Sequence, residues 1–168
     1  MPIRTRIAVI GVGNEFRRDD GVGLAVVARL RERAADRDRP LPTGMLLATC
    51  DGDPARLIGL WEGTDLAVVV DAAHAHPARP GHVHRLALEA GELDRPPTTS
   101  SHGLGLGEGV ELARVLGRLP GRLVVYAVEG ADTALGTGLS PRVGAVVEPL
   151  AADIEDEIVR HGDAAARG

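Results

Sequence analysis

A chain of 168 residues with 44 % apolar side chains is long enough to bury one proper core and too apolar to be disordered. Aromatic residues are only 2 % of the chain and the net charge is −5 with no basic stripe, which speaks against single-strand base stacking and against nucleic acid as a partner. The single cysteine, Cys50, excludes an internal disulfide and a cysteine-rich metal knuckle.

Arginine is abundant and lysine absent, a mark of genomic composition rather than of chemistry. The opening "MPIRTRIAVIGVGNEF" turns charged after a short apolar run and lacks the core and cleavage site of a signal peptide. No run approaches the roughly eighteen apolar residues of a membrane span. The expectation is a soluble, cytoplasmic protein with no membrane partner.

In chain order, "IAVIGV" (7–12) reads as a strand buried on both faces and ending in glycine. From Asp20 to about Arg33, Val22, Val26, Val27, Leu30 and Ala34 recur at helical spacing. "MLLATC" (45–50) is a second strand, and "DPARLIGLWEG" (53–63) a short helix opened by Pro54 and closed by Gly63. "DLAVVVDA" (65–72) is the most hydrophobic strand. "GHVHRLAL" (81–88) alternates, as a half-exposed hairpin arm would. "GLGEGVELARVLGRL" (105–119) is helical, with Leu106, Val110, Ala113 and Leu116 on one stripe, although its early glycines weaken it. "RLVVYAVEG" (122–130) is a further strand. Ser140 then caps, and Pro141 opens, a long amphipathic helix carrying Val143, Val147, Leu150, Ile154 and Ile158 on one face, with a kink expected at Pro149. Residues 1–162 read as one domain and 163–168 as a loose tail.

Strands alternating with helices predict a three-layer α/β/α fold around a mostly parallel twisted sheet. In such sheets the ligand crevice lies beyond the carboxyl ends of the strands. Four polar groups sit at or near such positions: Asp20 after the first strand, Asp51 after the second, Asp71 ending the third, and His102 ahead of the glycine-rich helix. Carboxylates with an imidazole suit a divalent metal that accepts oxygen and nitrogen ligands. Singly, Asp20 reads as a helix cap, Asp71 as a turn cap and His102 as a cap or solvated group. Their joint placement at one edge favours a site. Asp19 reads as a structural cap, and Asp51 stands evenly between the two roles.

The glycine turn also invites a nucleotide-binding reading. A G-x-G-x-x-G fingerprint needs a third glycine where Phe16 stands, and Asp19 and Asp20 would repel a pyrophosphate. No lysine follows the glycines, so a P-loop is excluded. His74, His76, His82 and His84 read as a solvated face, with a metallochaperone-like module as the non-catalytic alternative. Cys50 lies in a strand and reads as a small core residue.

Several stretches together resemble the hydrogenase maturation proteases, the endopeptidases that trim the C-terminus of the [NiFe]-hydrogenase large subunit. They are "GVGNEFRRDDGVG" (11–23), "VVVDAAH" (68–74), "RPGHVHRL" (79–86), "SSHGLGLGEGVELARVLGRLP" (100–120) and "VYAVEGAD" (125–132). The resemblance runs from about Ile7 to about Ile158. It implies an aspartic-type endopeptidase by family classification, with Asp20, Asp71 and His102 at the family's metal-binding positions. It further implies nickel carried by the substrate, a large-subunit precursor as partner, and no nucleotide cofactor. Where members often have D-G-G after the second strand, this chain has Asp51-Gly52-Asp53.

Overall fold

The computed structural model describes residues 6–36, 41–42, 44–89, 91 and 107–167. The strands are β1 (Ile7–Val12), β2 (Met45–Cys50), β3 (Leu66–Ala73), β4 (Val83–Glu89) and β5 (Arg122–Glu129). The helices are α1 (Val22–Ala35), α2 (Pro54–Trp61), α3 (Gly107–Leu116), α4 (Pro141–Gly144) and α5 (Val147–Arg167), and a 3-10 turn spans Arg18–Gly21. The sheet order is β2-β1-β3-β5-β4, with β4 antiparallel to β5 and the other pairings parallel. The chain leaves β1 for β2 on one side and returns to β3 on the other. The topological switch point, where α/β sheets open a crevice, therefore lies between the carboxyl ends of β1 and β3.

Alternate strand residues feed two cores. Ile7 and Val9 pack with Val26, Val27 and Leu30 of α1 and with Leu150, Ile154 and Ile158 of α5. Ala8, Ile10 and Val12 pack with Leu57, Ile58 and Trp61 of α2 and Ala113 of α3. β1 and β3 sit between helices on both sides, which explains their unbroken apolar runs. Each fully buried Leu or Ile contributes roughly 1.5–3 kcal/mol through removal from water. Trp61 is fully buried, and its indole N–H donates to the Arg118 carbonyl at 3.1 Å.

Among the early glycines of the α3 segment, Gly109 has a packing reason. A Cβ on Gly109 would lie 3.3 Å from Leu57, so the bare backbone lets α3 settle against α2. The stripe does not hold to the end of the helix. Leu116 is 51 % exposed, because the chain turns away at Gly117 with φ 66°.

The segment read as a hairpin arm supplies β4, an antiparallel edge strand of the main sheet. The expected long C-terminal helix is instead two, α4 and α5, and Pro149 does not kink an interior. It lacks the N–H that would bond the Ala145 carbonyl, so the helix breaks ahead of it. Pro149 then falls in the first turn of α5, where that N–H has no helical partner in any case. α5 runs on to Arg167, through the segment read as a loose tail; its alanines are strong helix formers. Among the described residues, no helix is long and apolar enough to cross a membrane.

Candidate active site

The glycine turn after β1 serves close packing of protein on protein. A Cβ on Gly13, whose φ is 148°, would meet the Asp20 carbonyl oxygen at 1.9 Å, and a Cβ on Gly23 would meet the Val70 carbonyl oxygen at 2.3 Å. The Arg18–Gly21 turn thus folds back onto the turn after β1, and the start of α1 closes onto β3 beside Asp71. The close approach that Gly13 permits is to Asp20's own backbone. Asp20 does not cap α1 through its side chain; its Oδ2 accepts the Asn14 N–H at 3.0 Å.

Asp19 is fully buried and anchors the neighbouring loop. Its carboxylate accepts the backbone N–H groups of Ala131 (2.8 Å), Asp132 (2.9 Å) and Ser140 (2.7 Å), and the Ser140 hydroxyl at 2.8 Å. Burial alone would raise its pKa, but the hydrogen bonds from Ser140, Asp132 and Ala131 outweigh it and hold the carboxyl below its ordinary range. Ser140 stands at the cap position of α4 as expected, yet its hydroxyl serves Asp19 rather than the helix. The backbone completes the clamp, with Arg18 N–H to the Gly136 carbonyl at 3.1 Å and Gly136 N–H to the Phe16 carbonyl at 2.8 Å. Two exposed apolar side chains ride on the clamped loops, Phe16 (60 %) and Leu135 (76 %).

Asp71 lies near the carboxyl end of β3, beside Ala127 of β5, and its Oδ1 accepts the Ala72 N–H at 2.8 Å. Burial pushes its carboxyl up to about 7; the Ala72 N–H opposes this, and the nearby Asp20 charge adds to it. Asp20, in the turn after β1, and Asp71, in β3, thus both lie at the strands that flank the switch point, near enough for the Asp20 charge to act on Asp71. In each, one oxygen accepts a backbone N–H, from Asn14 or from Ala72. His102 lies outside the described residues.

The raised carboxyl of Asp71 has a consequence for stability. The folded chain keeps a proton that the unfolded chain has already released above its ordinary value of 3.8. Stability therefore falls as pH rises from about 4 to about 7, and the full cost is present above that window. In chelator-treated protein, Asp71→Asn is expected to stabilise at pH 8 by on the order of 2–4 kcal/mol, a rise in Tm of roughly 5–10 °C. Near pH 4 the difference should vanish. Thermal melts at the two pH values check this, and an equal shift at both would sever the effect from proton linkage.

The remaining candidates take other places. Asp51 is exposed after the edge strand β2, and its Oδ1 accepts the Asp53 N–H at 3.1 Å, a turn role. Cys50 is buried, which raises its thiol pKa, in keeping with a core residue. His74 and His76 are both exposed at the surface. His82 and His84 are exposed too, but His84 Nε2 lies 2.8 Å from Oε2 of Glu129, a residue that sequence reasoning missed. A glutamate ending an otherwise buried apolar strand was the available signal.

Three comparisons bear on this arrangement. The model of the HycI family, described as hydrogenase maturation protease, matches residues 26–157. The hydrogenase 2 maturation protease of Escherichia coli (strain K12) is 29 % identical over 146 residues, spanning 86 % of this chain and 85 % of that one. Among solved structures, the hydrogenase maturating endopeptidase HybD from E. coli superposes with a TM-score of 0.72 at 26 % identity, covering 94 % of each chain. The [NiFe] hydrogenase maturation protease HybD from Thermococcus kodakarensis shares the fold, with a TM-score of 0.65 at 23 % identity over 92 % of this chain and 99 % of that one.

Proposed function

The chain belongs to the hydrogenase maturation protease family, and on that premise we propose that it removes the C-terminal extension of a nickel-loaded [NiFe]-hydrogenase large-subunit precursor in the cytoplasm. The observation that carries this reading is the pairing of Asp20 and Asp71 at the switch point, with the Asp71 carboxyl raised to about 7. His102 completes the trio. Two carboxylates and an imidazole are the donors that a divalent ion such as nickel accepts. Each carboxylate already has one oxygen oriented by a backbone N–H, from Asn14 or Ala72.

In this reading the nickel ion is cargo of the substrate, and the protease reads whether its client is metallated. Ligation by the trio fixes where the scissile bond lies, a proximity effect. The alternative role is general-base catalysis: an Asp71 that does not ligate the ion keeps a carboxyl near 7, matched to take a proton from water at neutral pH and return it to the departing amine, which is the sense in which the enzyme is aspartic-type. Phe16 and Leu135 on the adjoining loops offer apolar purchase for a polypeptide beside the carboxylates.

Mass spectrometry of a precursor large subunit, with and without nickel and before and after incubation, tests the proposal. The expected result is loss of a C-terminal peptide from the nickel-loaded form alone. Unchanged mass in the loaded form would remove the reading for that client, and equal cleavage of both forms would remove the metal-sensing part of it.

A further inference from the structure

A second cluster of donor atoms lies on the same sheet face, outside the Asp20–Asp71 crevice. One donor atom from each of His82, His84 and Glu129 lies within 4.8 Å of the other two. The register runs from Asp71 through Ala127 to His84, so this cluster is two strands away from Asp71, about 10 Å. We propose that His82, His84 and Glu129 form a binding site for one divalent transition ion of the nickel-to-zinc class, separate from the Asp20–Asp71–His102 site.

The cluster is built rather than incidental. Glu129 is a carboxylate only 2 % exposed, at the end of β5. Its Oε1 accepts the Arg79 backbone N–H at 3.0 Å, which leaves Oε2 turned to His84 Nε2. The main chain binds the same segment twice more, with Gly81 N–H to the Glu129 carbonyl at 2.8 Å and Glu129 N–H to the His82 carbonyl at 2.9 Å. Gly81 (φ 85°) comes so close to α4 that a Cβ there would lie 2.7 Å from the Arg142 carbonyl oxygen. The backbone that carries the ligands is therefore held on both sides, and an outer-shell N–H orients the carboxylate.

The geometry suits an ion. Bonds of about 2.0–2.2 Å in a tetrahedral site set donor atoms about 3.4 Å apart. Here the His84–Glu129 pair stands at 2.8 Å and all three donors fall within 4.8 Å, which brackets that spacing. The two imidazoles meet edge to face, with ring centroids 4.6 Å apart, and both are exposed, so they can make the adjustment. An ion bound here would replace the His84–Glu129 hydrogen bond. Two imidazoles and one carboxylate are borderline donors, which favours nickel, zinc and their neighbours over magnesium or calcium. The Arg79 guanidinium lies 3.9 Å from Glu129 Oε2, but its side chain is 70 % exposed, so its charge is solvent-screened and free to swing away.

Cobalt(II), a spectroscopic stand-in for this class, is titrated into the chelator-treated full chain. Visible absorption of bound cobalt and equilibrium dialysis are read together, with zinc as competitor. The Asp20→Asn/Asp71→Asn variant is expected to retain one zinc-displaceable cobalt ion. Adding His82→Ala and His84→Ala to that variant should abolish it. Both histidines are exposed, so their loss leaves the fold intact, which circular dichroism checks. Glu129→Gln keeps an acceptor for the Arg79 N–H and should weaken binding by roughly tenfold or more. The proposal fails if the Asp20→Asn/Asp71→Asn variant binds no cobalt, or if it binds cobalt that persists without the two histidines. In either case His84 and Glu129 are only a hydrogen-bonded pair.

Discussion

Asp20→Asn, Asp71→Asn and His102→Ala are each expected to slow processing of a nickel-loaded precursor by roughly 10²–10⁴-fold, the range for losing a positioned acid–base group. None should lower thermal stability appreciably. Asp20→Asn still offers an oxygen to the Asn14 N–H that Asp20 Oδ2 accepts, and Asp71→Asn does the same for the Ala72 N–H. Asp71→Asn also relieves the cost of a carboxylate that burial and Asp20 drive towards neutrality. Loss of activity with retained fold separates a working site from a structural turn. If Asp20 only shaped its turn, an amide would serve as well and cleavage would continue. Time courses of cleavage followed by mass spectrometry, alongside thermal melts, distinguish the two outcomes.

Asp19→Ala should do the opposite, costing stability first. It strips the acceptor from three backbone N–H groups and one hydroxyl, those of Ala131, Asp132 and Ser140. A buried donor left without a partner costs about 1–3 kcal/mol, and water can reach part of the loop, so the net loss should be on the order of 3–5 kcal/mol. The Tm should fall by roughly 10 °C or more. The sign with pH follows from the depressed carboxyl. Its contribution is full above the ordinary value of 3.8 and is lost as pH falls through the lower folded value, so wild type and variant should converge in acid. Denaturant midpoints at neutral and acid pH measure this. A variant within about 0.5 kcal/mol of wild type at pH 7 would show that the clamp carries no stability.

These two adjacent aspartates mark how far the sequence could be read. Strand positions were legible because burial on both faces leaves an unbroken apolar run, as in Ile7–Val12 and Leu66–Val70. Asp20 and Asp71 were legible as candidates because each lies at or soon after a strand end. Asp19 was recognisable only as some kind of structural residue. Its three partner residues lie more than 110 positions away, and no local pattern encodes them. Glu129 carried one local signal, a carboxylate ending a buried apolar strand, but its partners come from an antiparallel neighbour, β4, brought alongside by the sheet. The helix break before Pro149 shows a different limit. The residue was noticed and its effect misplaced, because a proline can be accommodated by restarting the helix as well as by bending it.

The division of the core by the sheet has an optical consequence. The chain has one tryptophan and one tyrosine. Trp61 is buried on the face covered by α2 and α3, whereas Tyr126 is buried on the face covered by α1 and α5. Emission excited selectively from the indole therefore reports one core, and near-ultraviolet difference absorption of the phenol reports the other, with no engineered probe. If the two layers melt together, the two signals trace one superimposable transition. If the α2–α3 layer can loosen by itself, the indole signal moves first while the phenol remains in a native environment.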